Sequence, residues 1–271
     1  MTQQAIGALP MAHDDGRAHG TSTDETTPAG IGPLATRHAS PGGEHASRLA
    51  LFDLDHTLLL GDSDVLWCDF LMDQGVLART DFAQRNADIE ARYKTGAVDA
   101  VEFANFYLST LAGRSPAQWE AMRRQFLRDV IMPRIPRASI DLVASHQRAG
   151  DLVVLTTATN RFLTELTAQR LGFAHVIATE PELVDGVFSG ATSGVLNMRG
   201  GKLVRLHAWL QARGERLEQF DSTGYSDSIN DLPLLEAVDH AVVVHADVRL
   251  AAIAAERGWR SMDLSKGDLR G

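Results

Sequence analysis

The stretch LALFDLDHTLLLGDSD, Leu49 to Asp64, constrains the fold of this chain more than any other. Four apolar residues, Leu49 to Phe52, run straight into Asp53 and Asp55, which a single leucine separates. An unbroken apolar run of this length suits a strand buried on both faces, as in a parallel sheet. The two carboxylates then stand at the mouth of a core, where an ionised acid without a partner is costly. They call for a cation, a proton donor or chemistry close by.

Short runs of similar character recur at Leu152–Thr156, Asp221–Ser226 and Ala241–His245, with helical stretches between them. In GKLVRLHAWLQARG, for example, Leu203, Leu206 and Leu210 fall at i, i+3 and i+7 on one face. Strands alternating with amphipathic helices predict an α/β fold, a doubly wound (Rossmann-like), mainly parallel sheet. The interval from Asp64 to Gly150 is far longer than one crossover and reads as several helices. One apolar stripe runs through Val101, Ala104, Leu108 and Leu111, and another starts near Trp119. Residues 64–136 are therefore expected to form an all-helical insertion after the first strand, with 48–63 and 137–271 as the core domain. Residues 1–47, rich in Gly, Ala, Thr and Pro without periodicity, read as a disordered extension. Their histidines, His13, His19, His38 and His45, are too scattered for a metal tract.

A formal net charge of -9 argues against a general nucleic-acid or anionic-membrane binder, so an anionic substrate needs a local cationic site. The single cysteine, Cys68, cannot form an intramolecular disulfide and is expected as a small buried residue on the first helix of the insertion. The N-terminal residues show neither a signal-peptide pattern nor a long apolar span, and the expected location is the cytoplasm.

Ligands of open α/β sheets bind beyond the carboxyl ends of the strands, so the residues there belong together. The first strand supplies Asp53, Asp55 and Thr57, and the second Thr157, Thr159 and Asn160. Lys202 opens a helix after two glycines, and Asp227, Asn230 and Asp231 follow the strand at 221–226. Singly, each suits a turn or helix cap. Jointly and in this order they suit phosphoryl transfer, in which a carboxylate attacks phosphorus and divides one hard displacement into two easier ones. Mg²⁺ takes one or two carboxylates together with waters and substrate oxygens. Two like charges about 4 Å apart repel by roughly 4 kcal/mol at an effective dielectric near 20, so clustered aspartates need both that cation and Lys202.

The segments FDLDHT, TTATN, GGK and SDSINDLP resemble the four motifs of the haloacid dehalogenase (HAD) superfamily, subfamily IB. That subfamily includes phosphoserine-phosphatase-like and histidinol-phosphatase-like enzymes, and the resemblance runs from Arg48 to the C-terminus. It implies that Asp53 is the nucleophile. Asp55 would be the general acid/base that protonates the leaving alcohol and then activates water, a role typically worth about 10²–10⁴-fold. Thr157 and Lys202 would hold the phosphoryl oxygens. Asp53, the main-chain carbonyl of Asp55 and Asp227 would bind Mg²⁺, with Asp231 and Asn230 supporting the metal shell. An acid two residues after the nucleophile marks phosphatases within the superfamily, because a halide leaves without a proton. Ser226 stands where the family usually has glycine, which predicts a slightly altered loop.

The resemblance also makes the helical insertion a cap that carries substrate contacts. Asp62 occupies the place of an acid that meets the substrate ammonium in phosphoserine phosphatases, although it equally suits a cap for the helix starting near Asp64. Asn160 is a second candidate substrate contact. The Arg-Lys-Arg cluster that grips a substrate carboxylate has no counterpart in EFANFYLST, residues 102–110, with Arg92 and Lys94 lying upstream. An acid retained and an arginine lost point to a small phosphorylated amino alcohol without a carboxylate. Histidinol phosphate is the favoured metabolite and phosphoserine the alternative. Phe103, Phe106, Tyr107 and Trp67 are candidates for a wall against an imidazole. His56 is expected to point away from the acids into packing, and Val184–Gly194 to form a hairpin or paired loop beside the site. Two readings of other classes remain: a phosphoacceptor receiver, which lacks such an insertion after its first strand, and a silent scaffold, which would not need every catalytic residue type together.

Overall fold

The structure, a computed structural model, describes residues 47–94 and 99–266. The expected N-terminal extension lies outside them apart from Ser47, which already belongs to the first strand, β1 (Ser47–Phe52). Four helices follow: α1 (Ser63–Asp73), α2 (Arg79–Lys94), α3 (Ala100–Leu108) and α4 (Pro116–Phe126). The chain then continues through α5 (Arg137–Arg148), β2 (Leu152–Asn160), α6 (Arg161–Leu171), β3 (His175–Val184) and β4 (Val187–Ser193). The last part comprises α7 (Gly200–Ala212), β5 (Phe220–Ser226), α8 (Leu232–Ala237), β6 (His240–Val244), α9 (Val248–Arg257) and β7 (Arg260–Met262). No helix among the described residues is long and apolar enough to cross a membrane.

The seven strands form one sheet in the order β4-β3-β2-β1-β5-β6-β7, parallel except for β4, which runs antiparallel to β3. The apolar run at the start of β1 explains its central place. Ala50 and Phe52 enter one core cluster and Leu49 and Leu51 another, one on each face of the sheet. Burying each of the larger side chains stabilises by about 1.5–3 kcal/mol. Since β2 and β5 flank β1, with Phe52 in register with Leu155 and Tyr225, three strand ends deliver polar residues to one place.

Sequence reading captured β1, β2, β5 and β6 but not β3 as a core strand, nor β7. The apolar stripe expected on α3 also needs correction, because Val101 is exposed while Leu108 and Leu111 are buried. The expected hairpin at Val184–Gly194 is formed by β3 and β4, and it reaches from the sheet to the helical insertion. Gly113 N–H donates to Phe188 O at 2.9 Å, and Phe188 N–H donates to Arg114 O at 3.0 Å. Thr192 N–H donates to the Asn105 side chain at 2.9 Å. Gly190, at φ +90°, leaves little room for a side chain, since a Cβ there would lie 3.1 Å from Ala112 Cβ and 3.2 Å from Ser109 Cα. All described residues fall in one compact unit, so the insertion is tied to the core in mid-course as well as at its ends.

Candidate active site

A cavity of about 280 Å³ opens beyond the carboxyl ends of β1, β2 and β5 and is covered on one side by α3. Its lining includes six carboxylates, from Asp53, Asp55, Asp62, Asp64, Asp227 and Asp231, and, among the described residues, a single lysine or arginine, Lys202. After β1 the chain turns tightly, with Leu58 and Leu59 N–H both donating to Leu54 O at 2.9 Å and His56 N–H donating to Gly61 O at 3.0 Å. This turn brings Asp53, Asp55 and Thr57 to one side.

Lys202 is fully buried and stands between two acids, its Nζ donating to Asp53 Oδ1 at 2.7 Å and to Asp231 Oδ2 at 2.6 Å. Burial alone would lower its pKa, but Asp231 and Asp53 overcome that and hold the ammonium above its ordinary value. Asp231 is fixed in turn by the Ser226 hydroxyl at 2.7 Å, and the same hydroxyl accepts Ser228 N–H at 3.2 Å. Thus the serine found in place of glycine takes part in the support of Lys202. Asp231, expected beside the metal shell, serves as the lysine's second counter-ion.

Thr57 joins the other acids, its hydroxyl donating to Asp227 Oδ1 at 3.0 Å and lying 3.4 Å from Asp53 Oδ2. Burial raises the Asp53 carboxyl well above the usual carboxylate range, with Lys202 opposing and the charges of Asp231, Asp227 and Asp55 adding to it. Burial likewise raises Asp227 to about 6. The cluster is therefore short of positive charge. No group of three or more His, Cys, Asp or Glu side chains among the described residues is placed to enclose a metal. The carboxylates of Asp53 and Asp227, joined through the Thr57 hydroxyl, form an oxygen-only pair. That pair fits Mg²⁺, which keeps several waters and takes few protein ligands.

Asp55 accepts from Ser63 twice, from its N–H at 2.8 Å and from its hydroxyl, both at Oδ1. Its Oδ2 accepts from the Thr159 hydroxyl at 2.7 Å, with Thr157 Oγ1 at 3.4 Å. The cavity is lined by Thr159, whereas Thr157 is fully buried behind it. The pair reflects the two-residue repeat of an extended strand, which turns both hydroxyls toward Asp55. Asn160 does not line the cavity. Its side chain caps α6 by accepting Leu163 N–H at 3.1 Å, and its amide donates to Asp64 Oδ1 at 3.2 Å.

Asp62 caps α1, accepting Asp64 and Val65 N–H on Oδ1 at 2.9 and 3.0 Å, and it also lines the cavity. Burial, reinforced by Asp55, raises its carboxyl to about 6. His56 corrects an expectation, because it is exposed and lines the cavity instead of packing away. Strand alternation no longer applies after Phe52, and His56 takes a left-handed conformation at φ +57°. Of the four aromatic candidates, Phe103 and Tyr107 line the cavity, 5.2 Å apart and edge-on. Trp67 packs against Phe70, Trp119 and Phe126, and Phe106 stacks on Phe82. Arg92 pairs with Glu102 and Asp88 at the surface, and the Lys94 side chain lies outside the described residues. Cys68 is buried on α1 as expected. Asp64, Ser63 and Ser228 were missed. The available signal was that DSD, like DLD, alternates an acid with one other residue.

A parallel sheet with acids, hydroxyls and a buried lysine converging at its strand ends beneath helices suits a hydrolase of phosphate esters, a phosphatase. The chain belongs to the haloacid dehalogenase-like hydrolases, whose family model matches residues 50–236. It is 37% identical over 213 residues to a histidinol-phosphatase of Neisseria meningitidis, an alignment covering 78% of this chain and 96% of the relative. It is 32% identical over 222 residues to phosphoserine phosphatase SerB1 of Mycobacterium tuberculosis, covering 79% and 70%. A crystal structure of a protein of unknown function from Bordetella pertussis Tohama I superposes with a TM-score of 0.78 at 44% identity, over 81% of this chain and 99% of that one. A substrate-bound phosphoserine phosphatase shares the fold, with a TM-score of 0.59 at 17% identity over 84% and 97%.

Proposed function

We propose that this phosphatase hydrolyses a small phosphorylated amino alcohol, histidinol phosphate before phosphoserine, through a phosphoryl group carried on Asp53. One observation carries the substrate choice. The cavity is lined by Asp62 and the aromatic side chains of Phe103 and Tyr107, and its only described lysine or arginine is occupied between Asp53 and Asp231. An ammonium therefore meets an acid, whereas a substrate carboxylate would meet more negative charge. The histidinol-phosphatase relative, aligned over nearly its whole length, supports the same choice.

In the first step a carboxylate oxygen of Asp53 attacks phosphorus, and the phosphorus–oxygen bond to the alcohol breaks. Asp55 delivers a proton to the departing alkoxide. In the second step Asp55 takes a proton from water, which attacks the phosphorus and releases inorganic phosphate with Asp53 regenerated. Lys202 holds Asp53 in place and offsets charge on the phosphoryl oxygens, and Thr159 and Ser63 keep Asp55 aimed. Asp53, Asp227 and the Asp55 carbonyl would hold Mg²⁺. When bound, the ion supplies charge neutralisation between the anionic nucleophile and the anionic ester.

The test is phosphate release from histidinol phosphate, phosphoserine, phosphothreonine, sugar phosphates and nucleotides, with Mg²⁺ and with EDTA. A Mg²⁺-dependent preference for histidinol phosphate of more than about tenfold, roughly 1.4 kcal/mol in transition-state binding, is expected. A preference for phosphoserine would overturn the substrate choice, and no release from any ester would overturn the activity.

A further inference from the structure

The first turn of α1 presents three polar side chains in a row, and they diverge. Ser63 turns to Asp55. Its neighbours Asp62 and Asp64 both line the cavity. A single ammonium is already met by Asp62, which leaves Asp64 without a partner in the reaction described above. Asp64 is nevertheless a built feature: Asn160, itself buried and fixed as the cap of α6, donates to Asp64 Oδ1 at 3.2 Å.

The charge inventory makes Asp64 consequential. Lys202 is taken up by Asp53 and Asp231, and the metal set draws on Asp53 and Asp227. Among the described cavity residues only His56 could add a positive charge near Asp62 and Asp64. Two adjacent half-buried carboxylates repel each other and lose hydration, at a cost that incoming cations can offset. Burial, with the charges of Asp62 and Asp55, raises the Asp64 carboxyl well above the usual range. The rings of Phe103 and Tyr107 also line the cavity and supply apolar surface against which a flat group can pack.

We infer that Asp64 is a second specificity residue, so that Asp62 and Asp64 together select a phosphomonoester bearing two basic nitrogens, one for each carboxylate. The inference rests on the phosphatase reading above and sharpens its substrate class. A side chain held in advance by Asn160 loses little freedom on binding, which makes the second contact effective.

The test compares histidinol phosphate, with an ammonium and an imidazole, against O-phosphoethanolamine, with an ammonium alone, in the wild type and in Asp64→Asn. The ratio of their kcat/KM values should fall at least tenfold in Asp64→Asn, with thermal melting used to confirm that the variant is folded. Independently of any variant, histidinol should inhibit the wild type at least tenfold more strongly than leucinol, an amino alcohol of similar size without the ring nitrogens. An unchanged ratio in folded Asp64→Asn, or equal inhibition by the two alcohols, overturns this inference while leaving the phosphatase reading intact. A wild type that releases phosphate from neither ester overturns that reading, and this inference falls with it.

Discussion

Ser63 gives both its N–H and its hydroxyl to the same oxygen of Asp55, while the Thr159 hydroxyl takes the other at 2.7 Å. The carboxylate expected to handle both protons is thus held from two elements, α1 and β2. Ser63→Ala removes one donor and leaves the N–H, so the fold should persist while Asp55 gains freedom to turn. We expect kcat to fall by about 10- to 100-fold for an alkyl phosphate and by less for p-nitrophenyl phosphate, whose leaving group needs little help from an acid. Equal losses on both esters would show that Ser63 acts only on structure.

Asp53→Asn should abolish turnover, by at least about 10³-fold, because an amide is a poor nucleophile. Lys202 keeps Asp231 as its partner at 2.6 Å, so the protein should remain folded by circular dichroism. Near-normal phosphate release by the purified variant would remove Asp53 from the role.

Mg²⁺ should raise the melting temperature, since it relieves repulsion among Asp53, Asp227 and their neighbours. At a concentration 100 times its Kd the stabilisation is about 2.7 kcal/mol. Asp227→Asn should lose most of this shift, and the wild-type shift should shrink below pH 6 as Asp227, raised by burial to about 6, takes up a proton. Scanning calorimetry at several pH values with and without the metal measures both effects. A shift that survives in Asp227→Asn would place the ion elsewhere.

The Asp62 carboxyl, lifted by burial to about 6, gives two pH effects of definite sign. For cationic esters KM should rise as the pH falls through 6, because a neutral Asp62 no longer attracts an ammonium, and Asp62→Asn should flatten that profile. For stability the sign is reversed. The folded protein keeps this proton between its ordinary value of 3.8 and about 6, so the contribution of Asp62 is largest below that window and is lost as the pH rises through it. The difference in melting temperature between wild type and Asp62→Asn, followed from pH 4 to 8, tests the second effect.

The parts of this site that were legible in the sequence are those whose signal is local. The apolar run of β1 announces a buried central strand, and its abrupt end in Asp53 and Asp55 announces the cavity. A strand such as β3 gives no such signal, because its ten residues include Glu180, Pro181 and Glu182 where it leaves the sheet to form the hairpin. Pairings made by the fold were equally hidden. Asp231 reads as a metal-side acid until Lys202, 29 residues away, is seen at its carboxylate. Asn160 reads as a substrate contact until its place at the start of α6 commits it to capping. His56 was misread because a rule for strands was carried past the end of a strand.

The hairpin of β3 and β4 alters what counts as an exchangeable module. In the chain order the helical insertion looks self-contained, from α1 to α4, and a chimaera that swaps substrate preference between relatives would be cut at its two ends. Yet Phe188 pairs its backbone with Gly113 and Arg114, and Gly190 lies against Ser109 and Ala112 with little room for a side chain. A transplanted insertion would meet a foreign hairpin at that seam. The structural unit is therefore discontinuous: residues 63–126 should travel with residues 187–193, or neither travels well.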